Sequence, residues 1–237
     1  MSFRVSNGRL GSIPKPPTTS PDIQGLFCRL MQPSDIDQVK ALCAECFPIN
    51  YPENWFVQIT SSSNLYSLAA VVGNRVIGMI VVEVKPFGFC NPEDSSILSY
   101  FSSSDTKVAY ILSFGVFKEF RNTGIGSHLL QQALSYLESE QMHCKAVYLH
   151  VMASNFDAIK FYERRGFKKH TFLPGYYTTI GNQLGDGCCY VKYINGGEAP
   201  WSLRDCLSAC WRLPTWLCTR CKRLWRIRLA STEARFL

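Results

Sequence analysis

The stretch Val108–Ser127, VAYILSFGVFKEFRNTGIGS, constrains the rest of the chain more than any other. An apolar run from Val108 to Val116 gives way to a short charged turn and then to Arg121-x-x-Gly124-x-Gly126, after which apolar residues recur at helical spacing. The period thus switches from buried strand to helix across a tight turn. Glycines let a backbone approach an anion closely, and the first amides of the helix point at it with the helix dipole behind them. The stretch reads as a pyrophosphate cradle. It is not a dinucleotide fingerprint, because Gly-x-Gly-x-x-Gly is missing, nor a Walker loop, because no Gly-Lys-Ser/Thr follows. Taken alone, RxxGxG fits a plain strand-to-helix turn with a surface arginine equally well.

The flanking elements narrow the fold. Upstream, Leu26–Met31 reads as a short strand, and Ser34 as the N-cap of a helix that carries Ile36, Val39, Leu42, Cys43 and Cys46 at helical spacing to about Phe47. Pro48 and Pro52 stop that helix by pushing the residues before them out of helical geometry. A second helix is expected over Glu53–Thr60, then a hairpin of Leu65–Val72 and Val76–Lys85 joined at Gly73-Asn74-Arg75. Residues 86–106 form a long polar loop, of a length more often functional or mobile than idle. Downstream come a helix to about Met142, a strand over Ala146–Met152, a helix over Asn155–Arg165 ended by Gly166, and strands over Phe167–Phe172 and Cys188–Ile194. This order predicts an α/β fold, a mixed seven-stranded sheet flanked by helices. Residues 1–25, with four prolines, read as a flexible leader, 26–198 as the folded domain and 199–237 as a separate tail.

Charge divides along the same line. The net charge is +7, but residues 201–237 hold eight Lys/Arg against two Asp/Glu, so the basic character belongs to the tail. Eleven cysteines among 237 residues fall short of a disulfide scaffold, and the opening residues lack the apolar core of a signal peptide. The cysteines are therefore expected to be reduced thiols facing cytosol or nucleus. No run approaches the ~18 apolar residues that span a bilayer.

The element order over about residues 26–195 resembles the GNAT acetyltransferases, whose acetyl-CoA loop the Arg121–Gly126 turn matches. Five separated motifs, Phe47-Pro-Ile-x-Tyr-Pro52, Val108-Ala-Tyr-Ile-Leu-Ser113, Lys118-Glu-Phe-Arg121, Cys144-Lys-Ala-x-Tyr-Leu-His-Val151 and Tyr193-Ile-Asn-Gly-Gly197, are similar to the Golgi-associated NatF type of N-terminal acetyltransferase. The resemblance implies a GNAT fold and acetyl-CoA as co-substrate, with no metal. It implies acceptor peptides that begin with Met followed by a hydrophobic residue, and histone lysines for some members.

An acetyl transfer to an amine needs a base, and an α-ammonium with pKa near ~8 needs only a weak one. Strand alternation places Tyr110, Leu112 and Phe114 on one face, and Tyr148, His150 and Met152 together on a second strand that could be its neighbour. By their residues alone, His150 and Tyr110 read more simply as a satisfied core histidine and a packing aromatic. The resemblance makes them the catalytic bases. It assigns the cofactor to Leu112, Phe114, Gly115, Val116, Arg121, Asn122, Thr123, Gly124, Ile125, Gly126 and Ser127, with Asn155, Tyr162, Glu163, Arg164 and Arg165 flanking it and Tyr162 as acid for the leaving thiolate. The peptide is expected between the Phe47–Pro52 loop and a Leu173–Thr179 loop, against Phe47, Pro48, Asn50, Tyr51, Leu112, Tyr176 and Tyr177. Asn50 departs from the family, which usually has a glutamate there. With it a membrane-bound CoA-binding scaffold stands as the alternative to an enzyme.

In the tail, residues 201–213 wind into an amphipathic helix with Leu203, Cys206, Leu207, Cys210 and Trp211 on one arc and Arg204, Ser208 and Arg212 opposite. Pro214 breaks it, and 215–229 is less clean, with Trp216, Leu217, Leu224 and Ile227 against Lys222, Arg223 and Arg226 but Arg220 and Arg228 intruding on the apolar face, where they would have to snorkel. Interfacial tryptophans beside a basic face read as a helix lying in an anionic membrane surface over 201–229. The resemblance implies peripheral attachment to the cytosolic side of Golgi membranes. Nucleic acid is disfavoured, since no nucleic-acid-binding fold accompanies the basic cluster. Zinc on Cys206, Cys210, Cys218 and Cys221 is disfavoured because the pairs lie too close in sequence for a finger.

Overall fold

The structure, a computed structural model, describes residues 24–47, 49–180 and 183–200, with side chains except at 178–184. The expected leader up to residue 23, Pro48, and the whole tail from 201 with its four cysteines lie outside the described residues. Among the described residues seven strands form one sheet: β1 (Leu26–Leu30), β2 (Leu65–Val72), β3 (Arg75–Pro86), β4 (Lys107–Val116), β5 (Ala146–Met152), β6 (Lys168–Ile180) and β7 (Gln183–Tyr193), in the order β1-β2-β3-β4-β5-β7-β6. Every neighbouring pair is antiparallel except β4 with β5.

Among the described residues four helices cover the sheet: α1 (Ile36–Cys46), α2 (Glu53–Ser61), α3 (Ile125–Glu138) and α4 (Phe156–Glu163). Helical spacing carries Val39, Leu42 and Cys43 of α1, and Leu129, Leu130, Ala133, Leu134 and Leu137 of α3, into the main core. Among the described residues no helix is long and apolar enough to cross a membrane.

Three expectations need correction. Ser34 does not cap α1. Residues Pro33–Asp35 form a 3-10 turn in which the Asp35 carboxylate accepts from the Gln32 amide (2.8 Å) and from Arg29 (2.6 and 2.8 Å), so the acid rather than the serine fixes the entry. The helix expected to reach Met142 ends at Glu138, because the Ser139 hydroxyl turns back to the Tyr136 carbonyl at 2.7 Å.

The third correction reaches the site. The expected Leu173–Thr179 loop is strand, part of a β6 that runs on to Ile180, and β7 begins at Gln183 rather than Cys188. Pro174 and Gly175 suggest a turn. However, β6 is the sheet edge, where a proline's missing N–H leaves no ladder bond unmade, and Gly175 at φ +61 takes up a bulge between Leu173 and Tyr177. Gly187 leaves room for an aromatic on the neighbouring strand: a Cβ there would stand 3.0 Å from Tyr176.

Residues 86–106 are a structured cover. Ile97 and Leu98 are fully buried and pack with Val108, Tyr148, Cys189 and Val191 in a second, smaller core on one face of the sheet. The loop is pinned by Tyr193 to the Ile97 carbonyl (2.9 Å), by Ser96 to His170 (3.0 Å) and by the Ser99 amide to the Glu198 carbonyl (3.1 Å).

Candidate active site

The β4–β5 ladder is short. It runs from Val108↔Ala146 to Tyr110↔Tyr148 and stops, so the two strands are joined at their beginnings and part beyond Tyr110. On the other side, β4 stays paired to β3 as far as Val116, with one interruption: Val82 pairs with Ile111 and Val81 with Ser113, and the ladder passes over Leu112. Leu112 is a bulge. A bulge shifts the alternation by one, so Phe114 does not share the face of Tyr110 as simple alternation predicted; Ser113 does. Phe114 instead meets Phe161 and Tyr162 of α4, ring centroids 5.4 and 6.2 Å away, while Ser113 meets the Tyr51 hydroxyl at 3.4 Å.

On the Tyr110 face lies a connected polar cluster. The hydroxyls of Tyr110 and Tyr176 each stand 2.9 Å from His150 Nδ1, and His150 Nε2 stands 2.9 Å from Asp94 Oδ1. Asp94 is only 1% exposed, and the His150 side chain 2%. A carboxylate can only accept, so Nε2 carries the proton and donates to Asp94, leaving the Nδ1 lone pair toward the tyrosines. Burial pushes the Tyr110 hydroxyl well above the ordinary phenol range, helped by the nearby Tyr176, Tyr177 and Asp94. Tyr176 is raised as well, by burial first and then by Asp94. Both therefore stand as neutral phenols at physiological pH. The Cys189 thiol, opposite His150 across the β5–β7 ladder, is pushed up by burial and by Asp94.

On the Phe114 side lies the glycine turn. Asn122 at φ +65 and Gly124 at φ +93 are both left-handed, and Gly124 is the N-cap of α3, so the chain reverses sharply and sets the amides of the helix's first turn free of intrahelical partners. Arg165 lies over the Phe161 ring, 3.6 Å from its centroid, and its guanidinium also reaches the Ser127 hydroxyl. A cleft of about 480 Å³ opens beside this turn, with Gly124, Ser127, His128, Arg165 and Lys192 in its walls.

A split parallel pair, a bulged central strand and a glycine turn at a helix start are the parts of a known architecture. Residues 36–167 match the acetyltransferase (GNAT) family. The chain belongs to this family. It is 50% identical to the N-alpha-acetyltransferase 60 of Xenopus tropicalis over 76% of this chain and 74% of that one. Two crystal structures of Arabidopsis thaliana NAA60, one with a bisubstrate analogue and one with acetyl-CoA, are each 28% identical, cover 72% of this chain and 99% of theirs, and superpose with TM-scores of 0.65 and 0.64.

Within this GNAT frame the anticipated residues separate into groups. Tyr110, His150 and Tyr176 meet directly. Tyr51 stacks on Trp55 (5.5 Å, 17°) and meets Phe47 edge-on (5.9 Å), and Tyr177 stands edge-on to Tyr176 (5.2 Å), so the expected aromatics gather into two groups. Asn50 is exposed and Pro48 is outside the described residues.

Gly115, expected as a cofactor contact, has no room for a side chain on the face it shares with Ser113: a Cβ would stand 3.1 Å from Cys46 and 3.3 Å from Phe47. Several polar groups are already engaged. Arg121 Nε donates to the Val116 carbonyl (2.9 Å), the Asn155 side chain caps α4 by accepting from the Ala158 amide (3.2 Å), Thr123 donates to the Phe120 carbonyl (2.6 Å), and Glu163 accepts from Tyr190 (3.1 Å). Glu163 thus points its carboxylate at β7. Tyr162 is buried, with its hydroxyl pushed far up by burial and by Tyr177.

The sequence reading missed Asp94. It lies in a 3-10 turn, Pro92–Asp94, inside the long polar loop. The loop's length marked it as functional or mobile, but nothing in the local pattern distinguishes Asp94 from Glu93 or Asp105.

Proposed function

We propose that this protein transfers acetyl from acetyl-CoA to the α-amine of protein N-termini beginning with Met followed by a hydrophobic residue, on the cytosolic face of Golgi membranes. The observation that carries the reading is the placement of Tyr110, His150 and Asp94 in one hydrogen-bonded line on the opposite side of a bulged β4 from the glycine turn. Acetyl-CoA enters with its pyrophosphate on the Asn122–Ser127 turn, its pantetheine arm along Leu112–Val116 where β5 has parted, and its distal phosphate toward Arg165 and Lys192. The bulge at Leu112 is where the thioester carbonyl meets backbone that no ladder engages. The peptide lies on the other face between Phe47, Tyr51, Tyr176 and Tyr177, apolar walls with hydroxyls for a peptide backbone.

The proton path follows from the tautomer. As the amine attacks the thioester carbon, its proton passes to the Tyr110 oxygen while the Tyr110 proton moves to His150 Nδ1. A phenol with so high a pKa works as a relay rather than as a standing base. The imidazolium that results is balanced by Asp94, whose carboxylate keeps Nε2 protonated throughout. The tetrahedral intermediate then expels the CoA thiolate, Tyr162 supplies its proton, and solvent returns a proton to Tyr162 as the His150 imidazolium releases one. General base assistance of this kind contributes ~10²–10⁴-fold.

Incubation with labelled acetyl-CoA and a Met-Leu peptide tests the proposal, with the peptide's N-terminus blocked as the second arm. Blocking abolishes transfer; an intact rate would move the acceptor to lysine, histones included. CoA binding without transfer would favour the scaffold reading. Membrane attachment is assigned to residues 201–229, so deleting 201–237 releases the protein from membranes and leaves peptide acetylation in place. Persistent attachment would refute that assignment.

A further inference from the structure

One group in the polar cluster has no task in acetyl transfer. Cys189 is fully buried, and β7 pairs it directly opposite His150, so the register sets a thiol beside the imidazole while the loop brings in Asp94. A carboxylate oxygen, an imidazole nitrogen and a thiol sulfur of these three residues lie within 4.8 Å of one another. Thiolate, imidazole and carboxylate together are the donors that zinc and its neighbours prefer, and three protein ligands with a fourth position left to water is a common zinc arrangement.

We propose that Asp94, His150 and Cys189 form an inhibitory site for a soft divalent cation of the zinc class. Such an ion takes His150 Nε2, the atom that now donates to Asp94. The neutral ring must then carry its proton on Nδ1, and Nδ1 faces Tyr110 and Tyr176 as a donor where it had been an acceptor. The relay from Tyr110 has nowhere to end. The protons balance: the Nε2 proton is replaced by one on Nδ1, the thiol proton goes to solvent, and the Asp94 carboxylate changes from acceptor to ligand, with no change of oxidation state. Catalysis needs no metal here; the metal stops it. The inference rests on His150 being the base, so its test includes a reading that does not depend on activity.

The full-length enzyme is assayed on a Met-Leu peptide in buffered Zn²⁺, beside Cys189→Ser and Cys188→Ser. Cys188 packs on the opposite face of β7 and serves as the control. In parallel, each protein is titrated with Co²⁺, and the thiolate-to-cobalt charge-transfer band is read. Zinc inhibits the wild type and Cys188→Ser alike, a chelator restores both, and Cys189→Ser keeps its basal activity while needing at least ~10–100-fold more zinc, the loss that changing even an outer partner of a ligand causes. One equivalent of the cobalt band disappears only in Cys189→Ser. Should that variant fold poorly, Cys189→Ala takes its place. Equal inhibition of wild type and variant, or an unchanged cobalt band, overturns the site. A cobalt band that depends on Cys189 without any loss of acetylation overturns the inhibitory role and His150 as base together.

Discussion

The two sides of β4 are built in different ways. The cofactor side is mostly backbone from one continuous stretch: the bulged strand, the left-handed Asn122 and Gly124, and the first turn of α3. The other side is made of side chains brought from far apart, with Asp94 and His150 separated by 56 residues and Tyr110 and His150 by 40. Binding a phosphate asks only for amides in a fixed curve, which a short peptide can supply. Moving a proton asks for groups of different acidity at hydrogen-bond distance, which only the assembled sheet supplies. Changes on the two sides should therefore appear in different kinetic constants.

The largest effect is expected at His150. His150→Ala lowers kcat by ~10²–10⁴-fold and leaves KM for acetyl-CoA near its original value; a parallel rise in KM would mean that the two sides do not work independently. Asp94→Asn comes next. Its amide can donate to Nε2 and stabilise the wrong tautomer, so kcat falls by ~10²-fold, the low end of what general base assistance contributes, again without a change in KM for acetyl-CoA. An Asp94 that only held the loop in place would instead lower Tm and raise the KM for peptide. Gly124→Ala acts on the opposite constant. A side chain at φ +93 costs about 1–2 kcal/mol in a left-handed conformation, and if the turn relaxes away from the phosphates by that amount, KM for acetyl-CoA rises by roughly tenfold while kcat at saturation holds.

This division also explains what could be read from the sequence. The cradle was legible because each part is local: an apolar run, a glycine spacing and a helical period follow each other within residues 108–127. Tyr110 and His150 were reached through motif resemblance, since strand alternation by itself only groups residues on a face. Alternation then misplaced Phe114, because a bulge leaves no mark in a run as uniformly apolar as Ile111–Val116. The Leu173–Thr179 stretch was misread for a related reason: Pro174 and Gly175 are turn residues everywhere except on a sheet edge, and edge position is a property of the whole sheet. Asp94 was out of reach, because a buried acid in a serine-rich loop looks like any solvated one until its partner is known.

The smallest effect on turnover is expected where neither side of β4 is touched. Asp35 is buried and accepts two short hydrogen bonds from Arg29 and one from the Gln32 amide, partners that belong to neither the cradle nor the His150 cluster. The Arg29 hydrogen bonds hold its carboxyl below the usual aspartate range, with the Gln32 amide and the Arg29 charge adding to the shift against the opposing effect of burial. A depressed folded-state pKa means that the ion pair's stabilisation is present above the unfolded value near ~4 and is lost as pH falls through the lower folded value. Asp35→Asn therefore lowers Tm at pH 7 by about 4–8 °C, taking the pair as worth ~2 kcal/mol. The difference from wild type shrinks as pH drops below about 4, because acid removes from the wild type what the mutation removed outright. Thermal melts across pH 3 to 7 read this directly, and kcat and both KM values at 25 °C stay unchanged. A pH-independent Tm difference would assign the loss to packing at the α1 entry rather than to charge. A fall in kcat would mean that α1, which ends against Gly115 through Cys46 and Phe47, transmits its anchoring to β4, and the two sides would then share a common support.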